Sequence, residues 1–409
     1  MSAPCTIMIY MMYDVQPVNP EDWESPPFAA NLFQKELGTV VMGRGATNQK
    51  GPERAFLNAV ASIIAVNGTL PVNLMVLAEG EEEIGSVHYP ELVDKYEARL
   101  KTANGVFFPF NSQNPGGDLR MSLGVKGILY LELEAKGGSA GGPTKSEIHG
   151  SYKALVDAPV WRLTQALASM TTPDGNTILI PGYYDGIRPP TGEEQRLING
   201  VLANWNEEQI KDLLAVKRWV DDISGRDAIL RYLYEVTLNI DGIWGGYTEE
   251  GAKTILPHKA TAKVDSRLPM GVRPERCLEL IRLHLEQNGF PDIEIRQLYG
   301  YPASQTSIDA PLVQAAIAVF NKWAKTREVW PRLAGSAPFY QFTERLGLPL
   351  VFNGLGHGSG AHAPNEYMVI YPNEGSKIAG LAEIEKGYVD ILFALADIRP
   401  VVTQKRDFH

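Results

Sequence analysis

The feature that most constrains the fold is a strand, a helix and a second strand near the start of the chain. Residues 5–10 and 72–77 are short apolar runs of the kind that form buried strands. Residues 50–66 between them have the apolar spacing of a helix. Two strands joined by such a helix predict a parallel α/β sheet, in which functional loops lie at the strand ends.

The pattern changes after about residue 125 and returns after about residue 306. Residues 128–134 and 259–268 alternate between apolar and polar side chains, as half-exposed antiparallel strands do. Further elements are predicted as helices at residues 158–170, 207–216, 274–287, 310–325 and 375–396, and as a strand at residues 348–352. We therefore predict a discontinuous α/β domain, residues 1–124 and 306–409, with a mixed, mainly parallel sheet flanked by helices. An α+β domain, residues 125–305, is inserted into it.

The charge balance excludes several classes of protein. The chain has 38 Lys and Arg against 48 Asp and Glu, a net charge of −10, which argues against a nucleic-acid-binding or membrane-attracted surface. No apolar run is long enough to span a membrane, and the first residues do not resemble a signal peptide. Cys5 and Cys277 are too few and too far apart for a disulfide framework or a cysteine zinc site. We expect a cytoplasmic protein.

Histidines are scarce, and their number limits any metal chemistry. They are His88, His149, His258, His284, His357, His362 and His409. Four segments that mix polar side chains with glycine or proline stand out: residues 10–17 (YMMYDVQP), 43–52 (GRGATNQKGP), 79–86 (EGEEEIGS) and 356–366 (GHGSGAHAPNE). Outside a motif, an adjacent glutamate pair is usually a solvated surface and a lone histidine is usually structural.

These four segments, in this order, resemble the M20 metallopeptidase family, in particular its carnosine-dipeptidase-like branch. The resemblance continues through residues 237–248 (TLNIDGIWGGYT) and 265–269 (DSRLP), so it covers almost the whole chain. It implies that the α/β domain is catalytic and that the inserted domain serves as a lid and for dimerisation. Members of the family hold two divalent metals with two histidines and several carboxylates.

Three positions that bind metal in the family differ in this chain. The first motif normally contains a histidine where this chain has Met12, and the second contains a bridging aspartate where this chain has Asn48. A further aspartate normally follows a strand, and Asn111 is matched to it. A thioether and two neutral amides are poor ligands for a divalent metal. One of the two metal sites is therefore expected to be lost.

The other metal site keeps its strongest ligands. Glu83 and His362 match family ligands, Glu82 matches the general base, and Asn48 can still offer a carbonyl oxygen. Such a set leaves positions open for water and substrate, and it holds the metal weakly. We expect one labile divalent transition metal per chain, manganese, zinc or cobalt.

The resemblance also implies contacts with a small carboxylate-bearing substrate. Asn239, Gly335 and Ser336 match substrate-contacting positions, and Met11 and Met12 would offer an apolar surface for a flat ring near the vacated metal site. Arg267 matches an arginine that clamps a substrate carboxylate, for which its planar guanidinium is suited. A structural ion pair is the alternative for Arg267.

Two histidines have open interpretations. His149, in residues 146–150 (SEIHG), matches a histidine that reaches across a dimer and stabilises oxyanion charge, which implies a homodimer or higher homo-oligomer. Its alternative is a role in local loop packing. His357 is either a replacement metal ligand or a loop residue without metal.

The expected function is hydrolysis of a C–N bond by a single metal. Within the family the chain most resembles aminohydrolases of aromatic amines, which implies conversion of 5-nitroanthranilate to 5-nitrosalicylate and ammonia. A metal-bound hydroxide would attack the ring, with Glu82 as general base. Such a deaminase would serve nitroaromatic degradation. The alternatives are an M20 dipeptidase or amidohydrolase, and a catalytically degenerate homologue.

Overall fold

The strands and helices are those of an α/β protein with several sheets. The computed structural model describes residues 5–398, so residues 1–4 and 399–409 of the predicted catalytic domain, His409 among them, lie outside it. The strands are β1 (Thr6–Met12), β2 (Asn31–Lys35), β3 (Gly38–Met42), β4 (Asn73–Glu79), β5 (Gly105–Pro109), β6 (Leu119–Ser122), β7 (Gly124–Lys136), β8 (Ile148–His149), β9 (Asn239–Trp244), β10 (Ile255–Leu256), β11 (Lys259–Leu268), β12 (Glu294–Tyr301), β13 (Ser304–Gln305), β14 (Thr326–Trp330), β15 (Leu333–Ser336), β16 (Leu350–Asn353), β17 (Gly358–Ser359) and β18 (Tyr367–Pro372). The helices are α1 (Lys50–Asn67), α2 (Tyr89–Leu100), α3 (Pro159–Ser169), α4 (Gly192–Leu202), α5 (Glu207–Leu213), α6 (Gly225–Tyr234), α7 (Pro274–Gln287), α8 (Pro311–Phe320) and α9 (Leu381–Leu395).

The main sheet has the strand order β14-β6-β16-β5-β1-β4. Its neighbours pair in parallel, except that β16 and β6 are antiparallel. The predicted α/β fold with a mixed, mainly parallel sheet is therefore confirmed. Since β1 and β4 run in register and end together at Met12 and Glu79, the segments that follow them meet at one edge of the sheet.

The main sheet separates two hydrophobic cores, and successive side chains of β1 point alternately into one and the other. Ile7, Ile9 and Met11 face the helices α1, α8 and α9 on one side of the sheet. Tyr10 and Met12, with Met8, belong to the core on the other side. This period of two places Met11 and Met12 on opposite faces of the sheet, so the expectation that both offer a surface to one ring is wrong for Met11.

The aromatic side chains at the centre of the first core are expected to contribute strongly to the free energy of unfolding. Phe107 on β5 is fully buried, and its ring lies 6.0 Å from both the Phe56 and Tyr388 rings. Replacing Phe107 by Ala is expected to lower the free energy of unfolding by about 3–5 kcal/mol, because it removes the buried ring and leaves a cavity. Urea unfolding measures the change. The exposed Val66→Ala is the control and should stay within about 0.5 kcal/mol of the original chain.

The second sheet is antiparallel, with the order β12-β7-β11-β9. Helices α3 and α7 cover one of its faces and bury the second core. The short strands β13 and β15 also pair with β7 near its beginning, and this connects the second sheet to the main domain. These strands and helices agree with the predicted α+β fold class of the insertion.

Helices α4 and α6 pack elsewhere, beside β14 of the main sheet. They belong to the predicted insertion by sequence, so the domain boundaries at residues 124/125 and 305/306 stay a prediction. Strands β17, β18, β3 and β2 form a separate four-stranded sheet, and β8 pairs with β10. Among residues 5–398, no helix combines the length and the hydrophobicity needed to cross a bilayer.

Candidate active site

A cavity of about 330 Å³, here called the reaction cavity, opens at the edge of the main sheet where β1 and β4 end. Met12 comes from the end of β1, and Glu82 and Glu83 come from the short 3₁₀ helix after β4. Tyr299 on β12 and Arg267 on β11 face them from the second sheet. The cavity therefore lies between the two sheets, and each contributes side chains to it.

All three of the side chains predicted to bind metal converge in the reaction cavity. Glu83 Oε2 lies 3.1 Å from His362 Nε2. The Asn48 amide nitrogen lies 2.8 Å from Glu83 Oε1 and 3.2 Å from His362 Nε2. Ligand atoms about 2 Å from one ion lie roughly 3 Å apart, so this spacing fits a shared metal. A half-turn of the Asn48 amide would bring its carbonyl oxygen to the same place.

The surroundings of this group hold Glu83 in place. The Gln16 amide donates to Glu83 Oε2 at 2.8 Å, and the Glu83 backbone N–H donates to Asp14 Oδ2 at 2.9 Å. The hydrogen bond to Glu83 raises the pKa of His362. Metal binding requires the neutral imidazole, so it would displace that proton. Among the described residues, no three His, Cys, Asp or Glu side chains gather into a metal site, so a metal held by Glu83 and His362 would need a further ligand such as Asn48.

The position expected for Asn111 needs correction. Its side chain turns out of the reaction cavity and donates to Thr47 Oγ1 at 2.9 Å, while Phe110, one residue earlier, lines the cavity. The sequence match alone could not separate the two, because neighbouring residues at a strand end point to opposite sides. Met12 does line the reaction cavity, as expected. Met12 and Phe110 therefore give this part of the reaction cavity an apolar surface.

Glu82, the predicted general base, lines the reaction cavity beside Glu83. Burial raises its pKa well above 4.5, and the carboxylates of Glu83, Glu79 and Asp14 raise it further. A carboxyl group in such surroundings takes up a proton readily at neutral pH. A cation bound at Glu83 would lower the pKa of Glu82 and so favour the ionised carboxylate, which is the form that acts as a base.

Arg267 lies on the opposite wall, and both of its open interpretations have support. Its Nε donates to Asp265 Oδ2 at 2.8 Å, which is the structural ion pair. Its Nη1 donates at 3.1 Å to Ser336 Oγ, which in turn donates to the Gly127 carbonyl at 2.9 Å. Arg267, Ser336 and Gly335 all line the reaction cavity, and their contact with substrate stays a prediction. The ion pair and the serine orient a guanidinium that still faces the cavity.

Other predicted residues lie outside the lining of the reaction cavity. Asn239 is exposed and donates to Asp241 Oδ1 at 2.9 Å. His149 is exposed on β8, where its Nδ1 lies 2.8 Å from Ser151 Oγ. A role of His149 across a dimer stays a prediction. His357 is buried and lines a neighbouring cavity instead of joining Glu83 and His362, so it is not a replacement ligand within this chain.

Much of the lining is aromatic, and these residues were not predicted. They are Phe108, Phe110, Tyr299, Tyr301, Phe339 and Phe352. Tyr299 and Tyr301 stack with ring centres 6.4 Å apart, and Tyr130 stacks on Tyr299 at 5.2 Å. Their spacing of two was the available signal, because residues i and i+2 of a strand share a face. The reaction cavity is thus suited to a flat, apolar ring.

A buried carboxyl group lies behind the site and sets a pH dependence. Tyr10 Oη donates to Glu79 Oε1 at 2.6 Å, and burial raises the pKa of Glu79 to about 7. Because this pKa lies above the unfolded value, the neutral carboxyl stabilises the fold fully below about pH 4.5, and that contribution is lost as the pH rises through about 7.

Replacing Glu79 by Gln should therefore make the free energy of unfolding less sensitive to pH. Between about pH 5 and pH 8, the metal-free variant is expected to lose less stability than the original chain. Urea unfolding across this range measures it, with the exposed Glu286→Gln as control. A Glu79→Gln curve parallel to that of the original chain would contradict the assignment.

Comparisons with known proteins agree on the family. The family model described as "Peptidase family M20/M25/M40" matches residues 8–379. The Cys-Gly metallodipeptidase DUG1 of Candida albicans is 28% identical over 379 residues, 89% of this chain and 75% of that protein. The human Beta-Ala-His dipeptidase is 31% identical over 287 residues, 69% of this chain, and the match spans about half, 53%, of that relative.

A solved structure extends the agreement to three dimensions. The M20 family metallo-carboxypeptidase Sso-CP2 of Sulfolobus solfataricus is 32% identical, with a TM-score of 0.84, over 97% of this chain and 86% of that one. The family model spans most of the chain, including the segments that carry Asn48, Glu82, Glu83 and His362. The chain is a metal-dependent hydrolase of C–N bonds and belongs to peptidase family M20/M25/M40.

Proposed function

We propose that the chain is a single-metal hydrolase that releases ammonia from a small aromatic amine bearing a carboxylate, such as 5-nitroanthranilate. The product would be 5-nitrosalicylate. The observation that carries the proposal is the make-up of the reaction cavity. Glu83, His362 and Asn48 converge within 3.2 Å of one another, while Met12 and Phe110 line the cavity without offering a second carboxylate or imidazole.

Glu83, His362 and the carbonyl oxygen of Asn48 would hold the metal. A divalent transition metal there would lower the pKa of water and so supply a nucleophile near neutral pH. With one carboxylate, one imidazole and one neutral amide, the site should bind manganese, zinc or cobalt weakly and release it readily.

Glu82 would transfer the protons of the reaction. It takes a proton from water as the water oxygen bonds to the ring carbon that bears the amine. The ring passes the added electron pair to its para nitro group. When the C–N bond breaks, this pair restores the aromatic ring, and Glu82 returns its proton to the departing nitrogen as ammonia. A second metal would serve to polarise a substrate carbonyl. Because the nitro group accepts the negative charge in this reaction, that function is not needed.

The remaining walls would orient the ring. Tyr299 and Tyr301 present stacked ring faces from β12, and Met12 and Phe110 present apolar surface from the main sheet. Arg267, oriented by Asp265 and Ser336, would bind the substrate carboxylate. With its carboxylate at Arg267, the substrate would have its ring in the same cavity as Glu82.

Replacing Arg267 by Met is expected to raise KM by roughly 10- to 100-fold, since hydrogen bonds to charged groups contribute about 1.5–3 kcal/mol. The kcat value should change less, because the contact exists before and during the reaction. Steady-state kinetics measures both values. The control is Arg296→Met, which removes an exposed arginine paired with Glu132 on the same sheet. Equal losses in the two variants would argue against a carboxylate clamp.

A dipeptidase is the second candidate, and the comparisons favour it. The relatives named above are a Cys-Gly metallodipeptidase and a Beta-Ala-His dipeptidase. A dipeptide also carries a carboxylate that Arg267 could bind. The aromatic lining and the loss of second-metal ligands favour the aromatic amine instead.

Two further parts of the proposal concern the setting of the enzyme. We infer a homodimer or higher homo-oligomer from the match of His149 to a residue shared across a dimer. We propose the cytoplasm as the compartment, since Cys5 and Cys277 are both buried free thiols.

The test compares substrates with the metal-loaded protein. Ammonia release from 5-nitroanthranilate and hydrolysis of Cys-Gly and β-Ala-His are measured with manganese, zinc and cobalt. The proposal expects metal-dependent ammonia release with little dipeptide hydrolysis. Efficient dipeptide hydrolysis without ammonia release would establish the second candidate. No metal-dependent turnover of any of these substrates would instead favour the degenerate homologue.

A further inference from the structure

A second cavity of about 280 Å³ lies directly beside the reaction cavity. Phe110, Leu333 and Phe352 line both, so they form a shared wall. The wall is well packed, since the Phe110 and Phe352 rings meet edge to face at 5.8 Å. A volume near the lower end for ligand pockets, roughly 300 Å³, suits a small molecule.

The second cavity combines ring faces with a cation. Trp330 adds a third aromatic side chain to Phe110 and Phe352. Arg120 on β6 lines the same space, and its exposed guanidinium lies 3.5 Å from the buried Glu328 carboxylate, which also accepts a hydrogen bond from Trp330 at 2.8 Å. Glu328 therefore holds both Arg120 and the indole. Flat apolar faces beside a guanidinium are the contacts that an aromatic carboxylate requires.

Another part of the same cavity wall offers hydrogen-bond acceptors. The buried His357 ring has Nδ1 2.8 Å from the Gln113 carbonyl, so Nδ1 carries the proton and Nε2 presents a lone pair. Asn111 Oδ1 is buried without a hydrogen-bond partner among residues 5–398, which is an unfavourable state for a polar atom. A ligand that donates a hydrogen bond at this wall would find an acceptor there.

We propose that the second cavity binds a small aromatic carboxylate that carries a hydrogen-bond donor, such as a hydroxyl beside the carboxylate. Arg120 binds the carboxylate, Trp330 and Phe352 flank the ring, and His357 accepts the hydrogen bond. The site lies next to the reaction cavity and is distinct from the metal-binding group. The choice of ligand class rests on the proposed function, whereas the existence of the site does not.

Equilibrium dialysis of the metal-loaded full-length protein with 5-nitrosalicylate tests the proposal. Arg120→Met is expected to lose one bound ligand per chain relative to the original protein, and Arg267→Met, which alters only the reaction cavity, is expected to keep that ligand. The control is Arg99→Met, which removes another exposed arginine, on α2, and should leave binding unchanged. Unchanged binding in Arg120→Met, or an equal loss in Arg99→Met, would overturn the site.

A second variant probes the acceptor wall. His357→Phe removes the acceptor and narrows the cavity, so it should lose the same ligand as Arg120→Met. Retention of that ligand by folded His357→Phe would contradict the proposed contact. Because Arg120 is exposed, Arg120→Met still decides the question if His357→Phe does not fold. The dialysis reads binding alone, so it succeeds or fails independently of ammonia release from 5-nitroanthranilate.

Discussion

Replacing Glu82 by Gln is expected to lower kcat by about 10²- to 10⁴-fold, the range that a positioned general base contributes. Glu82 lines the reaction cavity beside Glu83, and buried surroundings raise its pKa. The amide has a similar size but cannot take a proton from water or return one to the leaving nitrogen. Single-turnover kinetics with saturating metal and 5-nitroanthranilate measures the chemical step directly.

The metal content separates this effect from damage to the site. Glu82→Gln should still bind one metal per chain, because Glu83, His362 and Asn48 are unchanged. Glu81→Gln is the matched control, since the Glu81 carboxylate bonds to the exposed His88 at 2.9 Å and does not line the reaction cavity. Full activity in Glu82→Gln, or an equal loss in Glu81→Gln, would remove Glu82 from the mechanism.

Replacing His362 by Gln is expected to weaken metal binding by at least about 100-fold, since even residues that only support a ligand contribute 10- to 100-fold. Activity should fall in parallel and return in part at high metal concentration. Competition with a chromogenic chelator measures the metal dissociation constant. Glu83→Gln should behave alike, because Glu83 and His362 lie 3.1 Å apart in the same group.

His357→Gln is the control for this experiment. His357 is another histidine of the same glycine-rich segment, but it lines the second cavity and its Nδ1 is bonded to Gln113. Its metal dissociation constant should stay within about threefold of the original protein. Loss of metal in His357→Gln, with normal binding in His362→Gln, would reverse the assignment of the two histidines.

The sequence predicted elements best where one periodicity ran without interruption. The predicted strand at residues 259–268 and helix at residues 274–287 coincide with β11 and α7. The predicted helix at residues 310–325 ends earlier, because α8 stops at Phe320 and the chain enters β14 at Thr326. That strand is fixed by pairing with β6, a long-range contact that local spacing does not contain.

The candidate site divides in a similar way. Motifs pointed to Glu83, His362 and Asn48, and the structure places these three side chains within 3.2 Å of one another, while their role as metal ligands stays a prediction. They assigned Asn111 to the metal-binding region, whereas Phe110, one residue earlier, lines the reaction cavity. The aromatic lining was also missed, because it is assembled from strands of both sheets whose proximity only the fold creates.

Stoichiometric titration measures how many metals each chain binds and how many its activity requires. Metal-free protein is titrated with manganese, zinc or cobalt while bound metal and ammonia release from 5-nitroanthranilate are followed together. One metal per chain is predicted, with activity reaching its plateau at that point, because the proposed ligands Glu83, His362 and Asn48 form one group within residues 5–398. Two metals per chain, with activity that requires the second, would contradict the account.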